Sequence, residues 1–181
     1  MNDQNLLTQT RAILAATPLR FTGLVETLPE RALTRPATPG EWSVLDCLQH
    51  LLDTERLVFP VRVGLFLGGR DLEAFDPSAS PYEQPAGEAP ALPIRELAAE
   101  FTRLRTESLD VLDRLGASDL ERTANHAELG RVTLGEMLNE WAAHDLNHTV
   151  QAERALMQDF IVGSGPWRPY FAEHDLAADR E

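Results

Sequence analysis

Thr133-Leu134-Gly135-Glu136-Met137-Leu138-Asn139-Glu140-Trp141-Ala142-Ala143-His144-Asp145-Leu146-Asn147-His148 reads as the opening of a long helix that continues to about residue 160. Thr133 and Glu136 have capping-box spacing, in which each side chain takes up the other's backbone N–H. At about 100° per residue, His144 and His148 point about 40° apart, one turn from each other. Met137, Trp141, Ala152 and Ala155 fall in nearly the same direction, so the two imidazoles interrupt the inward apolar stripe. An inward histidine is costly unless its nitrogens find partners, and two protonated neighbours repel. A divalent cation that accepts both lone pairs resolves the conflict. The alternative is a pair of core histidines bonded to backbone or to carboxylates such as Asp145.

Three more helical stretches lie upstream, and no segment has the alternation of a strand. The first spans 5–28, divided at Thr17-Pro18, with Pro18 suited to the first position of a restarted helix. A loop follows at Arg35-Pro36-Ala37-Thr38-Pro39-Gly40. The second helix spans 42–67, with Leu45, Leu48, Leu52 and Phe59 at helical spacing and a bend at Pro60. Residues 68–93, with four prolines from Pro77 to Pro90, form a long connection, the kind used as a lid or crossover. The third helix spans 94–115 and stops at Gly116. Residues 118–131 read as a second loop. Beyond the last helix, Gly163-Ser164-Gly165-Pro166-Trp167-Arg168-Pro169-Tyr170 is a tail whose aromatic residues are expected to anchor it on the bundle. The fold class is therefore all-α, a four-helix bundle with a long crossover connection, in one domain over residues 1–181 with a tail from about 161.

The chain has 29 acidic residues against 16 basic ones, all of the latter Arg, for a net charge of -13. That balance argues against nucleic acid, which needs a basic face. A single cysteine, Cys47, excludes an intramolecular disulfide and fits a reducing compartment. No signal-peptide pattern opens the sequence, and no apolar run reaches the roughly 18 residues that cross a bilayer. A cytoplasmic protein without membrane contact is expected.

His50, on the second helix, flanks that helix's apolar stripe beside Cys47, Thr54 and Leu57. Taken alone it reads as a partly buried structural histidine. As a third arm beside His144 and His148, it leaves a coordination position open for water or substrate, as catalytic zinc sites do. Cys47 reads as a small buried hydrophobe before it reads as a thiolate ligand. His126 reads as an exposed loop residue, and His174 stands apart from any cluster. Among the carboxylates, Glu55 and Asp145 are candidate catalytic bases or partners of an imidazole.

Two segments together resemble the signatures of the DinB/YfiT-like superfamily. Pro39-Gly40-Glu41-Trp42-Ser43-Val44 leads into Cys47-Leu48-Gln49-His50-Leu51 and Asp53-Thr54-Glu55-Arg56. Leu129-Gly130-Arg131-Val132-Thr133-Leu134-Gly135-Glu136 leads into the helix of His144 and His148, and Gly165-Pro166-Trp167 looks like the tail of several members. The resemblance implies a dimeric four-helix bundle that binds nickel, zinc or a similar divalent ion through His50, His144 and His148. It also implies chemistry on a small-molecule substrate: metal-dependent hydrolysis, or transfer using a low-molecular-weight thiol such as bacillithiol. An anionic thiol would need arginines at the site mouth, for which Arg56, Arg62 and Arg131 are candidates. The rival expectation is a non-catalytic, stress-related dimeric bundle, its metal site structural or vestigial, with Cys47 or Glu55 closing the coordination sphere.

Overall fold

The computed structural model describes residues 3–73 and 92–176. Its helices are α1 (Asp3–Thr27), α2 (Glu30–Thr34), α3 (Val44–Leu57), α4 (Phe59–Leu67), α5 (Ile94–Leu112) and α6 (Leu134–Gly163). Strands β1 (Thr123–His126) and β2 (Gly130–Thr133) form an antiparallel hairpin just before α6. α1 and α3 each pack on both α5 and α6, so α1 and α3 occupy opposite corners of a four-helix bundle. The crossover between α4 and α5, expected to shape a pocket, falls largely outside the described residues.

Both helices that carry histidines begin at capping boxes. Ser43 Oγ accepts from the Asp46 N–H at 3.2 Å while Asp46 accepts from the Ser43 N–H at 2.7 Å, starting α3 two residues later than the apolar pattern suggests. At α6, Thr133 Oγ1 accepts from the Glu136 N–H at 3.1 Å, and Glu136 returns the bond at 2.7 Å. α5 ends at Leu112, short of Gly116, which instead precedes a 3-10 turn at Ala117–Glu121.

Four expectations change. α1 runs unbroken through Pro18. A proline there cannot donate to the carbonyl four residues back; that carbonyl, Leu14, accepts instead from Arg105 Nη1 at 2.7 Å. At Pro60 the helix breaks outright: Val58 leaves helical geometry (φ -117°, ψ -79°), and α4 starts with Pro60 in its first turn, where no N–H is needed. The 118–131 loop contains the hairpin, and Leu72 joins its edge through bonds from its own N–H to Asn125 and from the Ala127 N–H to its carbonyl. The tail does fold back, but not by its aromatics. Gln158 Nε2 donates to the His174 carbonyl at 2.8 Å and Gln158 Oε1 accepts the Leu176 N–H at 3.1 Å, while Trp167 and Tyr170 stand 64% and 83% exposed.

Two apolar clusters fill the bundle, one around Phe21, Leu48, Leu51 and Phe101, the other around Phe59, Phe66, Leu138 and Trp141. Arg105 lies where they meet, its guanidinium 4.9 Å from the Phe101 ring and 5.5 Å from the Trp141 ring.

Candidate metal centre

The two turns of α3 that follow the Ser43 cap carry His50 toward α6, where His144 and His148 project one turn apart. His50 Nε2 and His144 Nε2 are 3.0 Å apart, and one ligand atom from each of the three imidazoles lies within 4.8 Å of the others. Ring centroids are separated by 4.5–5.0 Å. Among the described residues, this is the cluster of histidine, cysteine or carboxylate groups arranged to hold a metal ion.

The walls of the cluster are aromatic. Thr38-Pro39-Gly40-Glu41 closes a turn with the Glu41 N–H donating to the Thr38 carbonyl, and Gly40 at φ 90° supplies the left-handed position such a turn requires. That turn sets Trp42 against the imidazoles, stacked on His148 at 5.3 Å and tilted on His50 at 5.0 Å. Phe59, the first residue of α4, presents its ring to His144 at 5.1 Å and stacks on Trp141.

Burial, followed by the charge of His148, lowers the His50 pKa to about 4. Burial and the neighbouring charges of His148, His50 and Arg105 lower that of His144 to about 3. His148 is also lowered by burial, against the opposing hydrogen bond to Gln151. All three rings are therefore neutral at physiological pH, with lone pairs available. The 2.9 Å bond between His148 Nδ1 and Gln151 Oε1 puts the ring proton on Nδ1 and leaves Nε2 as the lone-pair nitrogen. His144 is held by packing instead: its buried Nδ1 has no hydrogen-bond partner among the described residues. Three convergent neutral imidazoles suit a divalent cation of the borderline kind.

Glu55 and Asp145 are placed elsewhere. Both are fully buried and both face Arg105, Glu55 Oε2 at 2.9 Å from Nε and Asp145 Oδ2 at 2.6 Å from Nη1. With the Leu14 carbonyl, this one guanidinium joins α1, α3, α5 and α6. Burial raises the Glu55 pKa against the pull of Arg105, whereas Arg105 stays above its usual range despite burial because Asp145 and Glu55 face it. Cys47 lies in the core with its thiol pushed up to about 12 by burial, the state of an inert hydrophobe. Arg56 pairs with Glu100, and Arg131 lies on the exposed hairpin strand. Among the described residues, His174 takes part through its carbonyl, as the Gln158 acceptor. His126, expected to be exposed, is 7% exposed on β1, its ring beside Arg62.

Sequence reasoning missed Trp42 and Phe59 as walls, Gln151 as the partner of His148, and Arg105 as the clasp. Only Gln151 left a local signal, three residues after His148 on the same helix face.

Comparison with known proteins supplies a family and a fold. The family model described as the DinB superfamily matches residues 13–152. Relatives in Bacillus cereus (strain 03BB102) and Bacillus thuringiensis subsp. konkukian (strain 97-27) bear the name "Putative metal-dependent hydrolase". Each is 27% identical over 137 residues, covering 73% of this chain and 75% of the relative. In three dimensions the chain is similar to YfiT from Bacillus subtilis, described as a probable metal-dependent hydrolase with an unusual four-helix bundle topology. The TM-score is 0.69 at 19% identity, over 82% of this chain and 85% of that one, a likeness of fold.

Proposed function

The chain belongs to the DinB superfamily, and from that premise we propose that it is a metal-dependent enzyme acting on a small molecule through one divalent cation on His50, His144 and His148. The observation that carries this reading is the convergence of three neutral imidazoles from two helices, their ligand atoms within 4.8 Å of one another. Nickel and zinc both suit such a donor set. When bound, the cation supplies Lewis acidity to an oxygen or sulfur ligand in its remaining positions. The chain supplies the rest. Gln151 orients His148, Trp42 and Phe59 exclude water from the ring faces, and the Arg105 clasp holds the helices in register.

Three imidazole ligands would leave positions on a bound cation open, which favours catalysis over a merely structural metal. The side chains that could close the sphere are committed elsewhere, Cys47 to the core and Glu55 to Arg105. Of the three arginines considered for an anionic thiol such as bacillithiol, Arg56 is paired with Glu100 and Arg131 lies on an exposed strand, which leaves Arg62 to face a cavity, so hydrolysis is the preferred reading. The relatives' name points the same way. The working form in this reading is a cytoplasmic homodimer without nucleic-acid or membrane partners. Among the described residues, no helix is long and apolar enough to cross a membrane.

Elemental analysis of the native protein and of His144→Ala tests the proposal. We expect near-stoichiometric divalent metal in the former, its loss in the latter, and hydrolysis of small esters or amides only by the loaded protein. No metal in either, even after reconstitution, would overturn it.

A further inference from the structure

We propose that Arg62 and His126 form a carboxylate-binding subsite one helical turn from the three-histidine cluster, which anchors an acid group of the substrate. A cavity of about 140 Å³ lies between α4, the hairpin and α6, with Leu72, Val132 and Met137 among its apolar walls and Arg62, His126 and Glu140 among its polar ones.

The hydrogen bonding of His126 decides what this cavity can hold. Its Nδ1 accepts the backbone N–H of Glu128 at 3.2 Å and of Leu129 at 3.4 Å. A ring nitrogen that accepts two N–H groups carries no proton, so the ring proton sits on Nε2. Arg62 Nη2 lies 3.2 Å from that same Nε2. Arg62 carries donors only, so two N–H groups sit side by side at the cavity and neither satisfies the other. The counter-charge at hand, Glu140, is 3.7 Å from Arg62 Nη1 and 55% exposed, too far for a good hydrogen bond.

A carboxylate that bridges the two nitrogens from the cavity side accepts from both, with charge-assisted bonds. The apolar walls suit a short aliphatic chain attached to it. Position ties the cavity to the imidazoles: Arg62 follows Phe59 by one turn on α4, Glu140 precedes His144 by one turn on α6, and the Phe59 ring meets that of His144 at 5.1 Å. One turn is about 5.4 Å. The proposed anchor therefore lies one turn from the histidine cluster along both helices. Binding of the carboxylate does not depend on a cation; its role as the substrate's anchor rests on the enzymatic reading above.

The test titrates zinc-loaded and chelator-treated protein with sodium butyrate and, in parallel, with neutral butyramide, following ligand signals by NMR. Butyrate is expected to bind both forms, and butyramide at least about 10-fold more weakly. Arg62→Gln should weaken butyrate by about 10-fold, and Glu140→Gln, which removes the competing carboxylate, should tighten it several-fold. His144→Ala should leave butyrate affinity unchanged. Binding that vanishes with zinc or in His144→Ala would place the carboxylate at the histidines and overturn the subsite. So would equal binding of butyramide, or a Glu140→Gln variant that fails to gain affinity. That gain cannot come from misfolding, and together with binding that survives zinc removal and His144→Ala it places the carboxylate at Arg62 even where Arg62→Gln does not fold. Zinc content measured on the same samples separates the two claims: butyrate without zinc keeps the subsite and removes the enzyme, and zinc without butyrate does the reverse.

Discussion

Gln151 accepts the Nδ1 proton of His148 at 2.9 Å, and with that one bond it chooses which nitrogen of the ring keeps its lone pair. Partners of this kind typically contribute 10–100-fold to metal affinity. Gln151→Ala should therefore weaken zinc binding by about 10-fold in competition with a chelating dye, with the thermal midpoint of the metal-free protein little changed. The same three rings set the acid limit. In the unfolded chain they take up protons as the pH falls through about 6.5, whereas in the folded chain His50 waits until about 4 and His144 until about 3. Between those values the unfolded state binds more protons, so stability rises with pH and falls toward acid. Thermal denaturation of metal-free protein should show a midpoint that drops from about pH 7 to about pH 5, and the drop should shrink in His144→Ala. An unchanged slope in that variant would remove the histidines from the account.

At the scale of the elements, Pro18 and Arg105 are two halves of one solution. Pro18 leaves the Leu14 carbonyl inside a helix without its usual donor, and Arg105, 91 residues away in sequence, supplies one at 2.7 Å. The same guanidinium neutralises Glu55 on α3 and Asp145 on α6, beside His144. Arg105→Met would leave two buried carboxylates without a counter-charge and remove the donor to the Leu14 carbonyl. A loss of about 3–5 kcal/mol is expected in urea unfolding. Replacing Glu55, Arg105 and Asp145 together by apolar residues of similar volume should recover much of that loss, since the cost lies in the unpaired charge. If the single variant unfolds no more easily than wild type, the clasp holds nothing.

Over the whole molecule, apolar surface is unevenly spread. Phe160, Trp167 and Tyr170 stand 80%, 64% and 83% exposed near the end of α6 and along the 3-10 tail at Gly165–His174, on a protein whose net charge of -13 otherwise favours solvent. In the proposed homodimer these side chains are the ones with most to gain from contact. Sedimentation should find a species of twice the chain mass, and Phe160→Asp should shift it toward the monomer with metal content unchanged. A monomer at every concentration would remove the dimer from the proposal.

What the sequence determined by itself is what short-range chemistry decides. Helical spacing marked the bundle, the Thr133 and Glu136 pair marked the start of α6, and the four-residue interval put His144 and His148 on one inward face. Those features depend on residues within a turn of each other, so their spacing is enough to reveal them. The tertiary structure decided everything that depends on a distant partner. Pro18 reads as a helix boundary until Arg105 takes the freed carbonyl. Glu55 and Asp145 read as free bases until one guanidinium claims both. His126 reads as a loop residue until a hairpin without strand alternation buries it beside Arg62. In each case the local pattern describes the group, and only packing, by removing water and supplying a partner from another helix, settles what that group is bonded to.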